Sequence, residues 1–237
     1  MIDRQGVLDR AAEFFVPVHR DGHKFVAIGA AATVLLWLVW PALGWLALVA
    51  TLWMAYFFRD PDRVTPLREG LVIAPADGRI VSVAKVRPPQ ELGFGDAERV
   101  RISIHLSIFD VHVNRSPIAG RVVRSLYVPG AFLNPALDKA SEDNERRALI
   151  IATATGTEIA VVQIAGLVSR RIVTFAGEGD SLTFGQRFGL IRFGSRVDVY
   201  LPPGHPAQVA LGQRTIAGET VIADLASEEG EREARRT

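Results

Sequence analysis

Apolar and polar positions alternate in two quite different ways along this chain. From Phe25 to Phe58 no position is charged, whereas from Leu71 onward apolar residues come in short runs punctuated by Gly, Pro and Asp. A single helix over the first stretch would be about 50 Å long at roughly 1.5 Å per residue, longer than the apolar core of a bilayer. Pro41 and Gly44, within Trp40-Pro-Ala-Leu-Gly-Trp45, interrupt it, because proline disfavours a continuous helix and glycine eases a turn. The pattern predicts a helical hairpin with arms from about Phe25 to Trp40 and from Leu43 to Phe58. Each arm is slightly short for a full crossing, so two thin spans and a re-entrant hairpin both fit. Trp37, Trp40, Trp45, Trp53, Tyr56, Phe57 and Phe58 gather near the bend and the exit, as interfacial anchors do. No short apolar region ends at a small-residue cleavage site, so the stretch does not read as a cleavable signal peptide.

Arg20 and Lys24 precede the hairpin and Arg59, Arg63 and Arg68 follow it. The positive-inside tendency then places both ends in the cytoplasm, with the body of the protein at the cytoplasmic face of the cell membrane. Residues 1–24 read as a short amphipathic segment, since Val7, Leu8, Ala11, Phe14 and Phe15 fall on one helical face. After the hairpin, Phe57-Phe-Arg-Asp-Pro-Asp-Arg63 changes abruptly from apolar to charged. The expected organisation is an amphipathic segment over 1–24, a membrane hairpin over 25–58, a β-rich body over 59–226 and a charged, frayed tail over 227–237.

In the body, strands are predicted at Leu71 to Ile73, Arg79 to Val86, Arg99 to Phe109, Gly120 to Val128, Arg147 to Thr153, Glu158 to Ile164, Arg170 to Thr174, Ser195 to Leu201 and Thr220 to Ile222. Val100, Ile102, Ile104, Leu106 and Ile108 alternate with Arg101, Ser103, His105 and Ser107, the period of a half-buried strand. Asn134 to Arg146 is polar and reads as a loop with a helical turn. The fold class is mainly β, a β-rich sandwich or barrel-like domain preceded by the hydrophobic hairpin.

Composition narrows the chemistry. A formal net charge of +1 over 237 residues gives no basic footprint for nucleic acid. The absence of cysteine removes disulfides, thiolate nucleophiles and cysteine metal sites. Three segments carry candidate groups: Ala74-Pro-Ala-Asp-Gly-Arg-Ile80, Phe109-Asp-Val-His-Val-Asn-Arg-Ser-Pro117, and the Gly194-Ser195 junction in front of an apolar strand. Asp77-Gly78 alone reads as a turn between strands. If the period of two runs on from Val100, His112 faces the core or a cleft with Asp110 and Asn114 beside it, while His105 faces the other way. Three polar groups at a strand end suggest a site. His19, His23 and His205 are expected at the surface, and without paired ligand spacing no metal is expected.

The hairpin ending in Phe57-Phe-Arg-Asp-Pro, the segment Pro75-Ala-Asp-Gly, the run Ile104-His-Leu-Ser-Ile-Phe-Asp-Val-His-Val-Asn-Arg115, Gly130-Ala-Phe132 followed by Asp138-Lys-Ala-Ser and Asn144-Glu-Arg, and Phe193-Gly-Ser195 occur in this order. Together they resemble the phosphatidylserine decarboxylase family in its short form. The resemblance implies a proenzyme that cuts itself between Gly194 and Ser195. Ser195 attacks the Gly194 carbonyl, the ester eliminates, and hydrolysis releases ammonia and leaves a pyruvoyl group as the cofactor, with neither metal nor pyridoxal phosphate.

The same resemblance implies large and small chains from one precursor, a homodimer, and phosphatidylserine in membrane lipid as the substrate, converted to phosphatidylethanolamine and carbon dioxide. Asp77, His112 and Ser195 form the implied catalytic set, with His112 also the candidate proton donor in decarboxylation. Longer relatives carry two histidines three apart in this segment, whereas the position three after His112 is Arg115. Either His112 serves both steps or another group takes one, and Arg115 is a candidate to bind the substrate's carboxylate or phosphate. Two other readings of these residues stay open: a membrane-anchored serine hydrolase or peptidase that keeps its chain whole, and a non-catalytic β-domain tethered to the membrane.

Overall fold

The computed structural model describes residues 16–130, 144–166, 171–192, 195–230 and 232. The chain divides between Asp62 and Arg63 into two compact units.

The first unit is built on two helices, α1 (Arg20–Val39) and α2 (Pro41–Phe57). The break falls at the predicted place: Trp40 is extended and Pro41 opens α2, where its missing N–H would have no helical partner in any case. α1 begins at Arg20, ahead of the predicted arm, so Arg20 to Lys24 of the expected amphipathic segment belong to this helix, while residues 1–15 lie outside the described residues. His19, expected at the surface, is instead buried because it caps α1, its Nδ1 accepting from the Asp21 N–H at 3.3 Å.

Small and hydroxyl-bearing residues line the seam between the helices. Gly22 lies against Phe58, Gly29 against Thr51 and Gly44 against Trp37, each so close that a methyl group would not fit. The Thr33 and Thr51 hydroxyl oxygens are 3.2 Å apart, and each hydroxyl also reaches the carbonyl four residues back. Leu35, Leu38, Val39, Leu46, Val49 and Leu52 point outward and are exposed. Apolar outside and small or polar inside is the reverse of a water-soluble pair and suits association in an apolar medium. By length and composition α1 could cross a membrane, and α2 is a shorter apolar helix.

The second unit is mainly β. Its strands are β1 (Leu71–Ile73), β2 (Gly78–Val86), β3 (Arg99–Leu106), β4 (Val113–Arg115), β5 (Gly120–Val128), β6 (Arg146–Ala152), β7 (Glu158–Ala165), β8 (Ile172–Thr174), β9 (Ser181–Leu182), β10 (Arg187–Ile191), β11 (Ser195–Tyr200), β12 (Arg214–Thr215) and β13 (Val221–Asp224). A curled, half-barrel sheet runs β12-β2-β3-β11-β7-β6-β5-β9, with antiparallel neighbours throughout. β4-β10-β8 make a second sheet and β1-β13 a third. Ile102, Ile104 and Leu106 of β3, Val197 and Val199 of β11, and Ile159 and Val161 of β7 form the main core. Their neighbours on the other face, including Tyr200, Val162, Ile164 and Ile150, pack around Leu92 in a second cluster. The central strands are thus covered on both faces, which is why Ala148 to Ile151 reads as a continuous apolar run.

Two expectations change. The strand predicted to reach Phe109 stops at Leu106, because Asp110 folds the chain back in a turn: its carboxylate accepts from the Ser107 N–H at 2.8 Å and the Ser107 hydroxyl at 2.7 Å. Ile108 and Phe109 are consequently exposed, and the period of two does not carry to His112, which is buried because β4 lies in a different sheet. The short strands β4, β9, β10 and β12 were not predicted, being two to five residues long with little alternation to mark them. The polar loop expected over Asn134 to Arg146 lies outside the described residues as far as Asp143, and Arg146 opens β6.

Gly78 is a point where backbone approach fixes the residue type. Its φ is +154° and a Cβ there would collide with the His105 carbonyl. Gly78→Ala is expected to cost about 1–3 kcal/mol, as overpacking against rigid backbone does. A chemical-denaturation midpoint unchanged from the parent would contradict this.

Candidate active site

Ser195 opens β11 and is wholly buried. It is flanked in register by Leu106 of β3 and Ala165 of β7, and shares the core-facing side with Val197 and Val199. Its Oγ makes no hydrogen bond among the described residues. Enclosing a hydroxyl without a partner costs roughly 1–3 kcal/mol, so such a group in a folded protein calls for a reason. Phe193 and Gly194 lie outside the described residues.

The strand that leads into this junction is tied to the histidine segment. β10 pairs with β4, and the Ile191 N–H donates to the His112 carbonyl at 3.3 Å. Ile191 is four residues before Ser195, so the chain leaving the histidine segment reaches the serine within about 14 Å. His112 is 2% exposed. Its Nδ1 lies 2.9 Å from the Asp110 carbonyl oxygen. A carbonyl only accepts, so Nδ1 carries the proton and, in the neutral ring, Nε2 carries the lone pair. The acceptor that orients this imidazole is therefore main chain. The Asp110 carboxylate holds the Ser107 turn on one side and is paired with Arg214 on the other.

Asp77 sits in the turn before β2. Its carboxylate accepts from Arg63 Nη2, at 3.0 and 2.8 Å to its two oxygens, and from the Ala217 N–H at 2.8 Å. Arg79 and Arg196 both pair with His105, so Asp77 and Ser195 leave the same end of the sheet with β3 between them, about 10 Å apart at the usual strand spacing. The Arg115 N–H donates to the Pro75 carbonyl at 2.9 Å, joining the Asp77 turn to β4. Arg115 itself is buried, with Nη1 on the Gly185 carbonyl at 3.1 Å. The structure thus gathers the three candidate segments at one end of the sheet. The Asp77 carboxylate is bonded to Arg63 and the Ala217 N–H, and the His112 Nδ1 to the Asp110 carbonyl.

Sequence reasoning gave no role to three buried polar residues, Gln163, Arg196 and Asp198. Gln163 of β7 lies on the Ser195 side of the sheet, opposite Val197, and its Nε2 donates to Asn114 Oδ1 at 2.7 Å. Both residues are fully buried, and Gly189 leaves room for the Gln163 amide. On the opposite face, Arg196 Nε and Nη2 bind Asp198 at 2.6 and 3.0 Å, and Nη2 also reaches Ser103 Oγ at 2.9 Å. The signal was available: Gln163, Arg196 and Asp198 are polar insertions into apolar strands. Two surface hollows, of about 710 and 450 Å³, are lined by none of the candidate residues.

Burial also moves the titration of the His105 imidazole and the Tyr200 hydroxyl. Loss of solvent lowers the His105 pKa below the ordinary histidine value, with Asp110 opposing and Arg196 reinforcing the shift. Burial, with Asp198 adding to it, raises the Tyr200 hydroxyl to about 12.

A family model described as phosphatidylserine decarboxylase matches residues 50–223. A relative from Ruegeria pomeroyi is 59% identical over 212 residues, covering 90% of this chain and 97% of its own length. Relatives from Nitrobacter winogradskyi and Cereibacter sphaeroides are 56% and 55% identical, covering 90% and 95% of this chain and 87% and 97% of their own. All three are named phosphatidylserine decarboxylase proenzyme.

The His105 shift has a signed consequence. The unfolded chain takes up a proton near pH 6.5 more readily than the folded one, so stability falls as pH drops through 6.5 towards the lower folded value. In a Ser195→Ala background, His105→Gln is expected to flatten that part of a denaturation series against pH. Equal slopes with and without His105 would contradict the assignment.

Proposed function

The chain belongs to the phosphatidylserine decarboxylase family and is an enzyme of that kind, and we propose that it makes its own pyruvoyl group from Ser195 and works at a membrane. The observation that carries the reading is the enclosed Ser195 hydroxyl at the head of β11, four positions after the end of a strand bonded to the His112 segment. The site fits the group: the ketone formed at the Ser195 Cα would take the place of the amide nitrogen, and the side chain, reduced to a methyl, would occupy buried space that already holds the serine Cβ with no bond to its hydroxyl among the described residues.

In the first stage His112 Nε2 removes the Ser195 hydroxyl proton while Nδ1–H stays on the Asp110 carbonyl. Oγ then bonds to the Gly194 carbonyl carbon, the Gly194–Ser195 peptide C–N bond breaks, and the nitrogen takes the proton, giving an ester and a free amine. Loss of the Ser195 Cα proton expels the Gly194 carboxylate. Water then replaces nitrogen, which leaves as ammonia. Asp77, held by Arg63 and the Ala217 N–H, is assigned to this step as the carboxylate at the same end of the sheet. The pyruvoyl group, once formed, serves as an electron sink when carbon dioxide leaves the substrate. His112 holds the proton that is returned to the product carbon. Arg115, three residues after the histidine at the end of β4, is assigned to the substrate's carboxylate or phosphate.

The hairpin over 25–58 is the proposed anchor and 59–226 the catalytic body. The inverted packing of α1 and α2 supports this, and the basic residues on both sides of the hairpin support a cytoplasmic placement. The substrate is phosphatidylserine and the product phosphatidylethanolamine.

Intact-mass measurement of the purified protein tests the reading. Two chains are expected, one ending at Gly194 and one starting at residue 195, the latter lighter by one ammonia than the same peptide with free serine. Ser195→Ala is expected to stay whole and inactive, and Asp77→Asn to cut on the order of a hundredfold more slowly. An active, uncut parent chain whose serine reacts with a fluorophosphonate would contradict it.

A further inference from the structure

We propose that the turn from Ser107 to Asp110 is a lipid-contacting tip that seats in an anionic bilayer surface beside the site, an inference that rests on the reading of the chain as an enzyme acting on a membrane phospholipid. The turn is built to be rigid. The Asp110 carboxylate accepts from the Ser107 N–H and hydroxyl and is paired with Arg214, so a buried group of the turn holds both its ends. What this frame presents outward is Ile108 and Phe109, 44% and 59% exposed. Turns ordinarily carry polar residues at their tips, and two adjacent large apolar side chains this exposed offer an apolar surface to a partner.

The surroundings say which contact. Val64 and Ile216 are exposed at the same end: the Val64 N–H binds Glu219, Arg63 binds Asp77, and Ile216 follows β12 directly. The turns at the opposite end of the large sheet, over 153–157 and 202–206, expose no large apolar side chain. Arg79 and Arg214, paired across β2 and β12, are exposed beside the tip. Apolar points flanked by cations complement an interface whose headgroups are acidic and whose interior is hydrocarbon. The substrate makes the same demand, since its headgroup must come to a buried serine while its acyl chains stay out of water.

The turn also reaches inward. The main-chain carbonyl of Asp110 accepts from His112 Nδ1 at 2.9 Å. A turn seated in lipid therefore steadies the residue that orients the proposed base.

The chain has no cysteine, so Phe109→Cys gives a single labelling position in the full-length protein. Thr155→Cys, exposed at the other end of the sheet, is the control. With an environment-sensitive fluorophore, vesicles of phosphatidylcholine containing phosphatidylserine are expected to shift emission to the blue from position 109 and not from 155. No shift at 109, an equal shift at both, or a vesicle-free shift that grows with protein concentration, indicating contact between copies, overturns the proposal. In parallel, Ile108→Ser with Phe109→Ser is expected to cut itself like the parent and to keep its turnover of short-chain phosphatidylserine dissolved as monomers. Its turnover of phosphatidylserine in vesicles is expected to fall by roughly tenfold. Equal loss on both substrates, or none on vesicles, overturns the surface. Failure of the parent itself to cut would instead strike the pyruvoyl reading, and the fluorescence result stands however the double variant folds.

Discussion

Strand register at β11 is the constraint on which the site depends. Ser195 is paired on both sides, and the alternation of the strand sends its hydroxyl into the core while Arg196 goes to the other face. There Arg196 is held by Asp198 and Ser103 with almost no exposure. A buried ion pair adds little net stability, because its desolvation offsets the attraction. Its effect on register is larger: a slip by one residue would drive the guanidinium into the apolar core and move Ser195 to the opposite face. The pair cannot touch the serine, yet it excludes the arrangements in which the serine would be misplaced. Cutting ahead of Ser195 would turn the start of a central strand into a chain end, and ends fray unless tied down. The two ladders and the ion pair supply that tie.

Much of this was legible in the residues, and the failures have physical causes. The helix break at Trp40-Pro41 followed from proline alone, and the long strands followed from alternation. The position of His112 did not. Extending the β3 pattern through residue 112 placed the histidine at a polar strand end by the wrong route, since Asp110 ends the strand with two bonds to Ser107. Which backbone group a side-chain carboxylate captures depends on three-dimensional closeness that a period cannot report. β4 and β10 were missed for a related reason: strands of three and five residues owe their pairing to neighbours distant in sequence. The candidate residues Ser195, His112 and Asp77 were all named from sequence, but their partners, Arg63 for Asp77 and a main-chain carbonyl for His112, became visible only in the fold.

Helix pair and β unit solve opposite problems with the same residue types. Between α1 and α2, glycine and threonine make the seam and leucine faces out. In the β unit the branched residues are inside, and buried polar side chains such as Gln163 and Asn114 bond to one another. The Ser195 hydroxyl, by contrast, makes no hydrogen bond among the described residues. An enclosed hydroxyl with no hydrogen bond among the described residues, four positions from a strand bonded to the histidine segment, is the arrangement an internal acyl shift requires.

Labelling with a carbonyl reagent probes the central claim most directly. Phenylhydrazine added to the purified enzyme is predicted to modify the small chain at its first residue, position 195, and to abolish decarboxylation in proportion to labelling. Active enzyme that takes up no label there, or that is labelled only elsewhere, would contradict the account.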